Sequence, residues 1–340
     1  MRKETNIISP DIQHISRAVL VIGGAGYIGT HLCKQLVKNG YVPVVVDRNI
    51  KNKPVAFGPS FDINLPQEIE RLDEIIKRFN INSCIHLAGS SSIGASTKDP
   101  SEFYKNNIVT TLSLLDKLIA NNVKTFVFSS TASVYADIGL NKCKEISLTV
   151  PRNAYGSSKL AVESILKDYS KAYDINCVAL RYFNVSGFDT DAEVDQIRYQ
   201  KNKLIELIIE AAHQNKTFKI FGNSLPTKDG TCVRDYVHVI DVAEANIKAL
   251  AYCRDNNDFE VFNIGSGIPI SNLEIINEVQ RHLGKINIEF AEAREELSYS
   301  LADITKAQEI LDWQPTQSSI DNVVASAVKW YNMTHKKEIQ

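Results

Sequence analysis

The sequence predicts an α/β fold built on a doubly wound parallel sheet, and three observations predict it. Short β-branched runs alternate along the chain with longer amphipathic stretches, the rhythm of successive βαβ units. The first run, Ala18–Ile22, feeds a glycine-rich turn and then a helical stretch through Lys38 that Asn39-Gly40 closes. The second run, Val42–Val46, ends on the acidic Asp47.

The turn reads Gly23-Gly24-Ala25-Gly26-Tyr27-Ile28-Gly29. Glycines let the backbone bend sharply and approach a pyrophosphate, whose charge then sits on the helix N-terminus. Strand, glycine turn, helix and a carboxylate about twenty residues further on are the Rossmann-type dinucleotide fingerprint. Gly23, Gly26, Tyr27, Ile28 and Gly29 are therefore candidate cofactor contacts. Asp47 would accept both hydroxyls of the adenosine ribose and repel a 2′-phosphate, which argues for NAD. Arg48 beside it keeps NADP open, its other reading being a solvated loop charge.

Further strands are expected near Val55–Phe61, Ser83–Leu87, Thr125–Ser129 and Asn176–Leu180, with helices near Gln67–Arg78, Glu102–Ala120 and Tyr155–Tyr173. Asp62-Ile63 follows the third strand, where a loop could cover the adenine. Ala88-Gly89-Ser90 follows the fourth, at the carboxyl end where ligands bind in such sheets. A bland loop is the alternative for each. The fifth strand runs into Ser129-Ser130-Thr131-Ala132-Ser133-Val134-Tyr135, whose small hydroxyls could hydrogen-bond a substrate hydroxyl.

Helix formers and apolar Leu160, Ile165 and Leu166 follow Tyr155, so Tyr155 and Lys159 project from one helical face. An ammonium beside a phenol favours the phenolate and pulls its pKa from near 10 toward neutrality. Such a phenol can take a proton from a sugar hydroxyl and return it. A second Tyr-x-x-x-Lys, Tyr199 and Lys203, lies in a polar connecting stretch and reads as accidental.

Composition narrows the class. The chain has 340 residues, 44% hydrophobic and 23% charged, with a formal net charge of −2, and shows no nucleic-acid footprint. Its apolar runs are strand-sized, too short for a membrane span. The stretch before Ala18 is polar and mixed in charge, without a signal-like apolar core, so the expected location is the cytoplasm. Six cysteines never reach C-x-x-C spacing and the histidines are scattered, which argues for buried free thiols and against a metal site. Asn184-Val-Ser186 matches a glycosylation sequon that means nothing without secretion.

In this order the motifs resemble the extended short-chain dehydrogenase/reductase family, within it the UDP-glucose 4-epimerase branch of nucleotide-sugar epimerases. The stretches that carry the resemblance are Gly23–Gly29, Ile85–Gly89, Asn106-Asn107, Phe126–Tyr135, Tyr155–Glu163, Leu180–Asn184, Ile220–Asn223, Asp229–His238, Phe262–Gly265 and Leu311–Pro315. It implies an NAD-binding domain over residues 18–183, after an extension of residues 1–17. A smaller α/β domain over 184–335 would grip the nucleotide-diphosphate sugar, with segments near 236–265 returning to the first. Tyr155 is by this resemblance the acid/base, tuned by Lys159, which also holds the nicotinamide ribose. Thr131 stands at the catalytic serine or threonine position. Further NAD contacts are implied at Asp62, Ile63, Leu87, Ala88, Gly89, Asn106, Ser129 and Tyr182. Asn184, Leu204, Phe221 and Arg234 match sugar-nucleotide contacts, the forked Arg234 facing the diphosphate.

The implied cycle removes the proton of the 4-hydroxyl to Tyr155 and hydride from carbon 4 to NAD, swings the 4-keto sugar about its diphosphate tether, and returns hydride to the opposite face. The resemblance also implies a homodimer through the helices at 102–120 and 155–173. Sugar-nucleotide dehydratases follow the catalytic threonine with Asp-Glu; here Ala132 and Ser133 follow Thr131, which favours an epimerase. A 4-ketoreductase sharing the same site is the second reading, a non-catalytic NAD-sensing protein the third. Four positions depart from the pattern of glucose/galactose epimerases. Ser91 stands where they have lysine, and Lys203 where the family has asparagine. Arg294 opens an Arg-Glu-Glu-Leu run in place of Arg-x-Gly-Asp. Ser300 falls at the position that gates the sugar's 2-substituent, leaving room for an N-acetyl group.

Overall fold

The computed structural model describes residues 17–48, 50, 57–189, 191, 203–256, 258–294 and 297–335. The first half of the chain runs β1 (Ala18–Ile22), α1 (Tyr27–Lys38), β2 (Val42–Asp47), β3 (Ser60–Asp62), α2 (Leu72–Arg78), β4 (Ser83–His86), α3 (Ile93–Lys98), α4 (Pro100–Tyr104), α5 (Thr110–Ala120), β5 (Thr125–Thr131), α6 (Ala154–Ala172) and β6 (Asn176–Tyr182). The second half runs β7 (Asn184–Ser186), α7 (Leu204–His213), β8 (Phe218–Phe221), β9 (Val233–His238), α8 (Val239–Asp255), β10 (Phe259–Ile264), β11 (Pro269–Ser271), α9 (Asn272–Leu283), β12 (Ile288–Ala291), β13 (Tyr299–Ser300), α10 (Thr305–Leu311) and α11 (Ile320–His335).

Seven strands form one sheet in the order β10-β6-β5-β4-β1-β2-β3. Every pair in it is parallel. Alternation along each strand sends side chains to two separate cores, as the period of two requires. Val19, Val21, Val127 and Val178 meet Leu32 and Leu36 of α1 and Val242 and Leu250 of α8 on one face. Leu20, Ile22, Phe126 and Phe128 meet Ile75 of α2, Leu114 and Leu118 of α5 and Val162 and Leu166 of α6 on the other. The alternation of strands and helices is thus that of a doubly wound sheet, and β10 brings the chain back to its edge after the second part has begun.

Three local expectations shift. The third strand starts at Ser60, because Gly58-Pro59 interrupts the run and Pro59 lends only its carbonyl, to Val45 N at 2.8 Å; residues 55 and 56 lie outside the described ones. The helix expected at Gln67–Arg78 is a 3₁₀ turn, Ile69–Arg71, followed by α2. The helix expected at Glu102–Ala120 begins earlier, at Pro100, with the Asp99 carboxylate accepting from Glu102 N at 3.2 Å. It is then interrupted by a π-turn, Lys105–Val109, that carries both asparagines of the Asn106-Asn107 pair.

The second part packs α7, α9 and α11 around a third core of Ile205, Ile208, Ile209, Ile275, Val279, Val324 and Trp330. Ser271 and Glu274 form a capping box that starts α9. Strand β9 is its centre, flanked by β11, β13 and β7. All six cysteines are buried and unpaired. No described helix is long and apolar enough to cross a membrane.

The two parts are joined by a buried polar seam. The Tyr27 hydroxyl donates to the Gly187 carbonyl, and Lys34 pairs with Asp189. His31 Nδ1 sits 2.7 Å from the Tyr27 carbonyl, and its Nε2 accepts from Asp189 N at 3.1 Å. His238 lies close by, with its Nε2 3.2 Å from Ser326 Oγ. Burial lowers both imidazoles from 6.5 to about 4, so they are neutral in the folded protein. The unfolded chain takes up these protons below 6.5 while the native one resists until about 4. Stability is therefore full above the unfolded value and falls as pH drops through that window. Thermal midpoints measured across it should decline steadily; a flat profile would contradict the neutral seam.

Candidate active site

A cavity of about 1470 Å³ opens where β1, β2, β4, β5 and β6 end, and its opposite wall comes from β7, the start of α7, β9 and β13. It is the crevice at the carboxyl ends of a parallel sheet, where the order turns from β1 to β4.

The cofactor end begins at the glycine turn. Gly23 holds φ +84°, and a Cβ there would stand 2.6 Å from Ala88 N, so the turn closes against the end of β4. A Cβ on Gly29 would stand 2.4 Å from the Gly23 carbonyl oxygen; α1 therefore packs directly on the turn. Its N-cap, Gly26, has no side-chain cap and its first turn no acidic residue, which leaves the first amides to an anion. Asp47 Oδ2 accepts from Ala25 N at 3.2 Å, tying the carboxylate to the same turn. Gly26, Tyr27, Ile28, Arg48, Ile63, Leu87, Ala88 and Gly89 share this wall. A cradle of glycine backbone, uncapped helix amides and a carboxylate on the same wall fits a dinucleotide. Asp62 pairs with Asp47 across β3 and β2 but is the last residue of its strand, not loop, and lies off the cavity wall.

The π-turn gives the floor its shape. Asn106 Nδ2 donates to Ser90 Oγ at 3.0 Å on the cavity side. Asn107 is buried, accepting from Ser90 N at 2.8 Å and donating to Ser158 Oγ at 2.9 Å, which pins the loop after β4 to α6. Ser91 follows on the wall.

Helix α6 starts on Asn153, whose Oδ1 accepts from Gly156 N at 2.9 Å. One turn in, Tyr155 is half-buried and Lys159 buried, and both line the cavity with Ser129 and Thr131 of β5. Lys159 Nζ donates to the Ser129 carbonyl at 2.8 Å and lies 4.5 Å above the Phe128 ring. Burial lowers it to about 7, against the pull of Glu163 one turn on. Burial also raises the Tyr155 phenol, with the Thr131 hydroxyl opposing. This is opposite to the direction expected from spacing alone, because desolvation of the phenol outweighs its neighbours here.

Behind this pair sits an ionic network. Glu163 takes Arg181 in a fork, 3.0 Å from Nε and 2.6 Å from Nη2, and also accepts from Ser130 Oγ. Arg181 Nη1 donates to the Tyr135 hydroxyl at 2.9 Å, which donates to Asn263 Oδ1 at 2.6 Å. Tyr182 lines the cavity and donates to Asn246 Oδ1 at 2.9 Å.

On the far wall, register does the placing. Asn184 pairs with Tyr236 and Ser300 with Arg234, so β7, β9 and β13 bring all four to the cavity. Asp235 points away, buried, accepting from Ser266 Oγ at 2.8 Å, Gly267 N at 3.0 Å and Ala302 N at 3.1 Å, which fixes β9 beneath them. Leu204 and Lys203 open α7 at the same wall. Lys203 is not solvated: its Nζ donates to the Val185 carbonyl at 2.9 Å and lies 3.8 Å over the Tyr27 ring, and burial lowers it to about 8. Its apparent partner in sequence, Tyr199, falls outside the described residues. Phe221 and Arg294 stand apart from the cavity wall, stacked on each other with the guanidinium 3.5 Å from the ring centre.

Sequence reasoning passed over Tyr236, Arg152 and Leu297, which also line the cavity. Tyr236 was findable, two positions after Arg234 on the same strand face. Leu297 carries no local signal.

Residues 19–265 match the NAD dependent epimerase/dehydratase family. The chain belongs to that family. It is 37% identical over 320 residues to the UDP-glucose 4-epimerase of Rhizobium meliloti, covering 92% of this chain and 97% of that one. It is 37% identical over 318 residues to the UDP-glucose 4-epimerase of Lacticaseibacillus casei, covering 92% and 96%. Among solved structures, it superposes with a TM-score of 0.89 and 29% identity on a UDP-glucose 4-epimerase from Stenotrophomonas maltophila with bound NAD and formylated UDP-arabinopyranose, covering 94% of this chain and 99% of that one. The Bifidobacterium longum UDP-glucose 4-epimerase in complex with NAD+ and UDP gives 0.82 at 30% identity, covering 94% and 99%. Family membership agrees with the seven-stranded parallel sheet and with a crevice at the carboxyl ends of its strands.

Proposed function

We propose that this chain is an NAD-dependent nucleotide-sugar 4-epimerase, acting on UDP-glucose and UDP-galactose or their N-acetylhexosamine equivalents. The observation that carries the reading is the shared cavity: the glycine turn and Asp47 at one end, Tyr155, Lys159 and Thr131 at the middle, and Asn184, Arg234 and Ser300 opposite. When bound, NAD supplies the acceptor and donor of hydride at carbon 4. Asp47 holds the adenosine ribose and the amides of α1 the pyrophosphate. Tyr155 takes the proton of the 4-hydroxyl and returns it, with Thr131 orienting that hydroxyl. Burial raises the free phenol, so its ionisation is favoured by a positive charge beside it, and Lys159, in its protonated form on the Ser129 carbonyl, is the cation placed to supply it. Arg234 takes the diphosphate, and Lys203, held over Tyr27, adds a second positive charge near it. Ser300 leaves room for a 2-N-acetyl group. In domain terms residues 18–183 hold the cofactor and 184–335 mainly the sugar nucleotide.

Two further readings belong to this proposal. The chain forms a homodimer through the helices at 102–120 and 155–173, where Tyr104, Val109 and Tyr173 are 42%, 48% and 48% exposed. It works in the cytoplasm, where six buried unpaired thiols stay reduced. The test of function is an assay of the purified protein on UDP-glucose and UDP-N-acetylglucosamine without added cofactor. Formation of either 4-epimer supports the reading; bound NAD with no turnover of either overturns it for these substrates.

A further inference from the structure

Among the described residues five cationic side chains line the cavity. Three have a place in the reading above: Lys159 on the Ser129 carbonyl, Lys203 over Tyr27, and Arg234 at the diphosphate. Arg48, after Asp47, belongs to the cofactor end. The fifth is Arg152. It precedes the N-cap of α6 and stands three positions before Tyr155. Its segment is fixed by the elements that place the acid/base group: Asn153 caps the helix, and a Cβ on Gly156 would stand 2.3 Å from the Ser133 carbonyl, two residues after Thr131.

The guanidinium has little internal work. Its ion pair is with Asp137 at 3.9 Å, beyond hydrogen-bond range, and the two side chains are 43% and 54% exposed. Asp137 is itself committed to Gly139 N at 3.0 Å. No described side chain forms the two-pronged carboxylate contact to Arg152 that Glu163 forms to Arg181. Arg152 thus brings a planar fork of donors, held only by a loose ion pair, to the lining of the cavity three positions before Tyr155.

We propose that Arg152 is a specificity-determining residue that receives a carboxylate on the sugar, so that the site accepts nucleotide-diphosphate uronates; this rests on the epimerase reading and deepens it. Tyr155 and Thr131 fix the 4-hydroxyl, and the carbon-6 substituent branches from the ring atom next to carbon 4. A group anchored within one turn of Tyr155 is in position to meet it. A neutral hydroxymethyl gives the guanidinium no counter-charge. A carboxylate gives two charge-assisted hydrogen bonds and replaces the weak contact to Asp137.

The probes are UDP-glucuronate and UDP-glucose, assayed for 4-epimerisation by the wild-type protein and by Arg152→Gln and Arg152→Lys. The wild type should convert UDP-glucuronate to UDP-galacturonate. In Arg152→Gln the ratio of kcat/KM for UDP-glucuronate over UDP-glucose should fall at least about tenfold, mainly through KM for the uronate, with Arg152→Lys in between. A ratio unchanged within about threefold overturns the assignment, as does a wild type that epimerises UDP-glucose but not UDP-glucuronate. Turnover of neither substrate, with NAD bound, would instead overturn the epimerase reading beneath it.

Discussion

Tyr155→Phe should cut epimer formation by about 10² to 10⁴-fold while the protein keeps its fold and its NAD. The substitution removes one oxygen from a half-buried ring whose edge contact with Phe103, at 6.5 Å between centres, survives it. What it loses, on the proposed reading, is the group that moves the 4-hydroxyl proton. Thr131 cannot replace it: its oxygen already accepts from Ser133 N at 3.1 Å, and a neutral threonine hydroxyl is a poor base. The loss should therefore appear in kcat with little change in KM, because the proposed sugar-nucleotide contacts at Arg234 and the far wall are untouched. Turnover followed by chromatography of the two epimers, with NAD released from the denatured protein as a loading control, reads both halves. A variant that kept more than about a tenth of wild-type kcat would remove Tyr155 from the chemistry.

Arg181→Leu should destabilise the fold by about 3 to 5 kcal/mol, because it strands Glu163 as an unpaired buried charge. Both side chains of that pair are at most 6% exposed. Glu163 would retain only the Ser130 hydroxyl, and the Tyr135 hydroxyl would lose its donor. Replacing both members, Glu163→Leu with Arg181→Leu, should recover much of the loss, since two apolar groups in that place carry no desolvation cost. Denaturant titration of the two single variants and the double one checks this; equal destabilisation by the single and double changes would contradict it. The network also borders the chemistry, as Glu163 raises the affinity of Lys159 for its proton.

Much of the site was legible because its parts are local in sequence. The glycine turn declares itself by sitting between a strand and a helix, and Asp47 by ending the next strand. Tyr155 and Lys159 share a helix face through their spacing, and Thr131 follows from the hydroxyl run at the end of β5. These residues line one cavity with Asn184, Arg234 and Ser300, the last three reached only through family resemblance. What escaped depends on packing across the chain. The π-turn at Lys105–Val109 arises where two asparagines must reach the Ser90 loop and α6 at once, which no window of sequence displays. Phe221 matched a motif position, yet β8 pairs with β12 in its own two-stranded sheet, and Phe221 stacks with Arg294, three residues past β12, off the cavity wall. The Tyr155 phenol moved opposite to expectation because spacing shows its neighbours and not its desolvation. Arg152, inconspicuous in sequence, stands out only once Lys159 and Lys203 are seen to be seated on carbonyls while its own ion pair is loose.

The most direct test of the account is the fate of a deuterium placed at carbon 4 of UDP-glucose during turnover by the purified protein, with unlabelled NADH present in the medium. An epimerase whose hydride leaves and returns on a cofactor held by the glycine turn and Asp47 predicts UDP-galactose with the label retained at carbon 4 and the free NADH unconsumed. Loss of the label, with carbon 4 of the UDP-galactose carrying hydrogen from the medium's NADH instead, would contradict it and show that the cofactor exchanges during turnover, as a ketoreductase requires.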